Sequence, residues 1–225
     1  MALTPALVAL CAREVAEPAP GGEYDYFDDK DYDQAVEKLL VEKPSGPFWL
    51  FAYGSLIWKP EFPAAQSQRA MARNWRRSFC LRIKSHRATP EQPGYMMGLD
   101  RGGTCEGVIY QISEQDLAKQ LWQLLYREVG SHEALESVRW IEVEAENGPV
   151  QALTFYAHPE RRNIYVGDLP LQDIAKDLAR ACGHWGSGAE YLYNTVSHLE
   201  QLGIHDADLW RLQELVAAAI QKHHS

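Results

Sequence analysis

The 225-residue sequence contains no apolar run of about 18 residues or more, so neither a membrane-spanning helix nor membrane insertion is expected. Its four cysteines are Cys11, Cys80, Cys105 and Cys182, and no two stand at the Cys-x-x-Cys spacing of a metal or redox site. With 46% hydrophobic residues the core is large enough to hold without disulfides, and a reducing cytoplasm is the expected setting. Cys80 and Cys105 lie in strand-like runs and read as buried thiols. Metal-ligand spacings such as His-Glu-x-x-His are missing, so no catalytic metal and no cofactor are expected. Excess positive charge is missing too, and the net charge of −9 argues against nucleic-acid binding. The basic stretch from Arg69 to Arg87 interleaves its cations with apolar residues, the pattern of a strand with one solvated face. A secretory leader is not expected, because Met1 to Ala12 is short, lacks a basic start and runs into Arg13-Glu14. There is no internal repeat and no low-complexity tract.

What is present divides near residue 46. Residues 1–44 carry ten acidic and four basic side chains, a net of −6, so this stretch makes the chain acidic. It contains the breaker cluster Pro18-Ala19-Pro20-Gly21-Gly22 and the acidic, aromatic run Glu23-Tyr24-Asp25-Tyr26-Phe27-Asp28-Asp29. A short helix is expected from Gln34 to Glu42, with Ala35, Val36, Leu39 and Leu40 on its apolar side. We take 1–46 as an acidic N-terminal extension, packing loosely or wrapping the domain through its aromatics, and 47–225 as the domain proper. Within it, strands are expected at Phe48–Tyr53, Trp75–Ile83, Tyr95–Leu99 and Cys105–Ile112. Asn147-Gly148 separates Val138–Val143 from Val150–Tyr156 as a hairpin, with a loop of two residues or more. A helix from Ser113 to about Glu128 opens on Ser113-x-x-Asp116, which resembles a capping box. Helices at Leu171–Cys182, Ala189–Leu202 and Leu209–Lys222 close the chain, with Gly203 ending the second. Strands first and helices later predict an α+β fold in which a closed or strongly curved sheet is covered by helices.

Two features carry chemistry. The run Phe48-Trp49-Leu50-Phe51-Ala52-Tyr53-Gly54-Ser55-Leu56 reads as a buried strand that stops at a sharp bend. Without a Cβ, Gly54 lets the backbone face a ligand closely, and successive N–H groups in such a turn form a concave anion site. The second feature is Glu128. Leu117, Leu121, Leu124 and Leu125 form the apolar face of its helix, and eleven residues after Leu117 is almost three turns. If the helix ends there, Glu128 swings to solvent. If it stays on the stripe, it is a desolvated carboxylate with a raised pKa, suited to acid–base work near neutral pH. Arg127 is expected to pair elsewhere, since adjacent helical side chains diverge.

Other candidates have ordinary readings beside functional ones. Ser55 does not sit in Gly-x-Ser-x-Gly, so it reads as a turn-former or hydrogen-bonding residue before it reads as a nucleophile. Arg87, in the polar loop His86-Arg87-Ala88-Thr89-Pro90, either holds that loop or binds a substrate carboxylate bidentately. Tyr191 either packs in the core with its hydroxyl satisfied or lines a site.

Taken together these residues resemble the ChaC family of γ-glutamylcyclotransferases, which act on glutathione. The motifs that carry the resemblance are Phe51-Ala52-Tyr53-Gly54-Ser55-Leu56-Ile57-Trp58, Arg76-Arg77-Ser78-Phe79, Arg87-Ala88-Thr89-Pro90-Glu91-Gln92-Pro93-Gly94, Gly107-Val108-Ile109-Tyr110 and Tyr126-Arg127-Glu128. Leu169 to Ala175 and Glu190-Tyr191-Leu192 add to them, and the whole covers about 48–220. The resemblance implies a small mixed β-barrel with flanking helices and a C-terminal helical section. It implies cleavage of the γ-glutamyl amide of glutathione to 5-oxoproline and cysteinylglycine, with Glu128 moving the protons. It also implies substrate-binding roles for Leu50, Phe51, Ala52, Tyr53, Gly54, Ser55 and Leu56, with Arg87, Tyr165 and Tyr191 as further contacts. Two departures stand out: Ala52 replaces a glycine of many members, and Val129-Gly130-Ser131-His132 replaces the Lys-Gly-Gly-Tyr of animal members. The rivals are a cyclotransferase for other γ-glutamyl amines or amino acids, a non-catalytic binding or regulatory protein of a cation transporter, and a Ser55 hydrolase.

Overall fold

The computed structural model describes residues 1–17 and 26–224. The breaker cluster 18–22 and residues 23–25 of the acidic, aromatic run lie outside the described residues. Strand β1 (Phe48–Ala52) is buried along its whole length, which its unbroken apolar sequence requires. It pairs antiparallel with β3 (Gly94–Ile112), from Phe48 opposite Ile112 to Ala52 opposite Val108, and parallel with β5 (Gly148–Phe155) at Leu50 and Leu153. With β2 (Ala64–Ile83) and β4 (Val138–Ala145) these strands close a barrel in the order β1-β3-β2-β4-β5. Helices α1 (Pro5–Ala9), α2 (Asp29–Glu42), α3 (Ser55–Trp58), α4 (Leu117–Glu128) and α5 (His132–Leu135) are interspersed. After the barrel come α6 (Leu171–Leu178), the small hairpin β6 (Cys182–Gly183) and β7 (Gly186–Ser187), α7 (Gly188–Gln201) and α8 (Ala207–His223). The expected α+β barrel with a helical C-terminal section is therefore the observed fold. No helix among the described residues is long and apolar enough to cross a membrane.

The chain forms two units. One comprises Gly21–Arg77 and Leu99–His158. Its core is a cluster of Trp49, Phe51, Trp75, Leu99, Ile109, Ile141 and Tyr156 with smaller neighbours. Gly107 is obligatory there, because a Cβ would lie 2.4 Å from the Ala52 carbonyl oxygen and 2.9 Å from the Phe51 ring. The other unit comprises Met1–Pro20, Ser78–Gly98 and Pro159–Ser225. Here the buried Gln213 of α8 accepts the backbone N–H groups of Ala2 and Leu3 at 2.8 and 2.7 Å, which ties down the start of the chain.

Several boundaries differ from the sequence reading, each for a local reason. The two expected strands Tyr95–Leu99 and Cys105–Ile112 are one strand, because Gly102 (φ +96°) and Gly103 (φ +70°) carry it through an exposed stretch. β2 begins eleven residues before the expected Trp75. Its first half is polar and exposed, and cross-strand bonds such as Gln66 to Gln111 at 2.5 Å hold it. α4 starts at Leu117, not Ser113, and the expected capping box does not form, since Asp116 is left-handed (φ +57°) and makes no side-chain cap. Gln120 instead donates to the Ser113 and Gln115 carbonyls. α2 starts at Asp29, five residues before the expected Gln34, because Asp28 and Asp31 form a capping box. α6 stops at Leu178, four residues before the expected Cys182. Cys182-Gly183 belongs to a hairpin so close to the His86–Ala88 backbone that a Cβ on Gly183 would sit 2.2 Å from the His86 carbonyl oxygen. The Asn147-Gly148 hairpin is observed with a two-residue turn, Ala145 pairing with Gly148. Gly203 ends α7 with φ +68°. Cys80 and Cys105 are buried thiols outside any disulfide.

Candidate active site

The unit of the barrel core holds the Leu50–Leu56 run. β1 delivers Leu50, Phe51 and Ala52 into the core, each at most 1% exposed. Thr154 of β5, fully buried, donates its hydroxyl to the Phe51 carbonyl at 3.1 Å. The chain then turns at Tyr53-Gly54. Tyr53 packs its ring on the core and donates its hydroxyl to the Phe155 carbonyl at 2.7 Å. Gly54 is the N-cap of α3, and Ile57 N–H closes the turn onto its carbonyl at 2.9 Å. Leu56 is buried, and Ser55 is half-buried with its hydroxyl oxygen 3.3 Å from Arg127 Nη2.

A buried arginine pins this turn from below. Arg77, 5% exposed, donates Nε to the Tyr53 carbonyl at 2.7 Å and Nη2 to the Glu106 carbonyl. The reading of the basic strand as a solvated face fails here. Along β2 the inward positions are even at Ala70 and Ala72 and odd at Trp75, Arg77 and Phe79. The phase changes at Asn74, whose φ is +62°, as an inserted residue does in a β-bulge. Outward positions behave as expected, with Arg69 on Glu106 and Arg73 on Glu144 in exposed ion pairs.

Glu128 is the last residue of α4. Leu121, Leu124 and Leu125 of that helix are buried, and the Glu128 side chain is 22% exposed. Burial holds its carboxyl above the ordinary glutamate range. The Arg127 guanidinium opposes that shift, and the charge of Glu61 adds to it. Arg127 does pair elsewhere, with Glu61, as adjacency on the helix predicts, but it also meets its neighbour. Its Nε lies 2.9 Å from Glu128 Oε1. Adjacent side chains diverge within a helix, but here the helix ends, Val129 is extended, and the long arginine folds across the last turn. The same guanidinium reaches Ser55, the Lys59 carbonyl and, at 3.1 Å, Glu61 Oε2. It therefore joins the α3 turn to the carboxylate of Glu128. Neither Arg127 nor Arg77 was singled out as a site residue from the sequence. The usable signal was that each sits inside a quoted motif, Tyr126-Arg127-Glu128 and Arg76-Arg77-Ser78-Phe79.

The other three expected contacts lie in the second unit. Arg87, with its side chain 11% exposed, bonds Glu190 Oε2 at 2.8 Å and the Ser187 carbonyl at 3.1 Å, with its guanidinium 5.5 Å from the Tyr191 ring centre. Tyr191 is 3% exposed and meets Phe79 edge-on. Tyr165 pairs with Leu81 in an isolated antiparallel bridge. The structure thus gathers Leu50–Leu56, Arg127 and Glu128 in one unit, and Arg87, Tyr165 and Tyr191 in the other.

Comparison with known proteins gives a consistent set. The model of the family described as "ChaC-like protein" matches residues 48–219. Similar proteins include the glutathione-specific gamma-glutamylcyclotransferase of Escherichia coli, 36% identical over 172 residues, 76% of this chain and 73% of that protein. Gamma-glutamylcyclotransferase 2-3 of Arabidopsis thaliana is 35% identical over 165 residues, 70% of this chain and 82% of that protein. The human glutathione-specific gamma-glutamylcyclotransferase 1 is 31% identical over 159 residues, 69% of this chain and 71% of that protein. Among solved structures, the yeast gamma-glutamylcyclotransferase specific to glutathione superposes with a TM-score of 0.70 at 21% identity, covering 80% of this chain and all of that one, which establishes the shared fold.

Proposed function

This chain belongs to the ChaC-like family, and on that premise we propose that it is a glutathione-specific γ-glutamylcyclotransferase that uses Glu128 as its proton carrier. The observation that carries the reading is the carboxylate of Glu128, held mostly buried at the end of α4 beside the guanidinium that also bonds Ser55. A binding protein has little use for a desolvated carboxylate in that place. A proton carrier needs one, because a raised pKa makes the group a better acceptor of an ammonium proton.

The reaction proceeds without water. Glu128 takes a proton from the α-ammonium of the glutamyl end. The freed amine attacks the γ-carbonyl of the same molecule, forming the new C–N bond of a five-membered ring. Glu128 hands its proton to the departing amide nitrogen, the ring nitrogen gives up its second proton to the freed carboxylate, the old C–N bond breaks, and 5-oxoproline leaves with cysteinylglycine, whose amine takes up that last proton. Nucleophile and electrophile share one chain, so the protein's task is folding the substrate and moving the proton. The Tyr53–Leu56 turn, fixed by Arg77 beneath and by Arg127 beside it, would hold the glutamyl end, with backbone donors for the developing oxyanion. The four cysteines are buried and outside any disulfide, which agrees with a reducing cytoplasm.

The test is product identification after incubation with glutathione and, separately, with γ-glutamylalanine. Equimolar 5-oxoproline and cysteinylglycine from glutathione, with no glutamate, are expected. Free glutamate would indicate hydrolysis, and equal turnover of γ-glutamylalanine would overturn the specificity. Glu128→Gln should lower release of 5-oxoproline by about 10²–10⁴-fold, and wild-type turnover by that variant would remove Glu128 from the mechanism.

A further inference from the structure

The family match begins at residue 48, yet part of the chain ahead of it reaches the end of α4. Three successive residues after Glu128 are held by residues 26–32. The Tyr32 hydroxyl donates to the Val129 carbonyl at 3.0 Å, and Tyr32 itself is 5% exposed. Phe27 N–H donates to the Gly130 carbonyl at 3.2 Å, and Tyr26 pairs with Ser131 in an isolated antiparallel bridge. Asp31 adds a carboxylate 3.3 Å from His132 Nε2. The rings follow the same path, with Tyr32 against Phe27, Trp122 and Tyr126, and Phe27 against His132. The capping box of Asp28 and Asp31 fixes where α2 begins, and Tyr32, Ala35, Val36 and Leu39 form its buried face.

The last carbonyls of a helix have no partner within it, and a helix frays from that end unless something else holds it. Glu128 is the terminal residue of α4, Val129 is already extended, and Gly130 has no side chain to pack. The helix's own hydrogen bonds end with the Val129 N–H on the Leu125 carbonyl at 2.7 Å, so the carbonyls that follow Glu128 need partners from elsewhere. The segment 26–32 supplies what is missing, by satisfying the Val129 and Gly130 carbonyls and adding a short strand pair at Ser131.

We propose that the N-terminal extension is a working part of the site, and that Tyr32 is a positioning residue that acts on Glu128 through the Val129 carbonyl. The proposal rests on the role given to Glu128 above. A brace of this kind keeps the carboxylate both placed and dry. The charged groups facing Glu128 are Arg127 and Glu61, and neither is touched by changing Tyr32.

The test uses the full chain with Tyr32→Phe, which removes one hydroxyl and keeps the ring, and Tyr32→Ala, which removes the packing as well. Tyr32→Phe should lower kcat for 5-oxoproline release about threefold to tenfold with KM nearly unchanged, the loss of one buried hydrogen bond. The acid limb of the pH–rate profile should move to lower pH in both variants, because a looser helix end lets water reach Glu128. A merely structural Tyr32 would lower the melting temperature and leave kcat and the limb of the folded enzyme unchanged, which overturns the proposal. Should Tyr32→Ala fail to fold, Tyr32→Phe decides alone. Glu128→Gln, assayed in parallel, separates the two ideas. If it is inactive while the Tyr32 variants match wild type, only the brace is wrong. If it is active, the mechanism itself fails.

Discussion

Of the arginines that sit on a glutamate, Arg87 and Arg127 differ in what the glutamate needs. Arg87 meets Glu190 at 2.8 Å in one unit, and Arg127 meets Glu128 at 2.9 Å in the other. Glu190 stands in the first turn of α7, and its side chain is 43% exposed, so water serves it well even without the arginine. Glu128 is 22% exposed and pushed by burial toward its protonated form, so the guanidinium is the main group keeping it ionisable. Arg87 spends its bonds locally, on Ser187, Glu190 and the face of Tyr191. Arg127 spends its bonds across chain segments, from the α3 turn to the end of α4. The sequence pointed to Arg87 as the candidate ligand arginine and set Arg127 aside. The surroundings of the paired carboxylates reverse that emphasis.

The sharpest way to break this comparison is to remove the carboxylate at the demanding end. Glu128→Gln should lower 5-oxoproline formation by about 10²–10⁴-fold, the range for loss of a general acid–base group. The same variant should be more heat-stable than wild type at neutral pH. A carboxyl whose pKa is raised in the folded state costs stability once pH passes its unfolded value, and the cost grows until pH passes the folded one. The stability difference should therefore shrink as pH falls toward the ordinary glutamate range. Thermal melts at several pH values measure it, and a variant less stable than wild type at pH 7 would contradict the desolvation argument.

Next in size is Arg127→Gln. It removes the guanidinium that opposes burial of Glu128, so the pKa of Glu128 should rise further and the acid limb of kcat/KM should move to higher pH. The loss of charge-assisted bonds to Ser55 and Glu128 should lower kcat/KM by about tenfold or more. An unmoved acid limb would sever Arg127 from the carboxylate. The smallest effect on turnover is expected for Arg87→Ala. It should cost about 1–2 kcal/mol of stability through lost packing and the Ser187 bond, with the half-exposed ion pair adding little. Its kcat for glutathione should change less than that of Arg127→Gln. A rise in KM above about tenfold would make Arg87 a substrate contact and erase the distinction drawn between the two arginines.

Much of the barrel was legible because its signals are local. Phe48–Ala52 has no polar residue, so it reads as a strand buried on both faces, and that is how it lies between β3 and β5. Asn147-Gly148 marks its hairpin, and the leucine spacing marks α4. The polar half of β2 and the join of β3 across Gly102-Gly103 were not legible, because only the neighbouring strand makes an exposed polar stretch a strand. Likewise the Asn74 phase change, invisible in composition, is what turns Arg77 from an outward cation into the pin beneath Tyr53.

By itself, then, the sequence determined that a buried strand runs into a Tyr-Gly-Ser bend and that Glu128 falls on the apolar side of a helix, since periodicity and residue type are properties of the chain alone. It left open whether Glu128 turns to water. Only the tertiary structure decided that, by ending α4 at that residue, folding Arg127 across it and closing residues 26–32 over the carbonyls that follow. The physical reason is that desolvation and charge pairing depend on what the rest of the chain brings within a few ångströms, and no spacing along the sequence contains that distance.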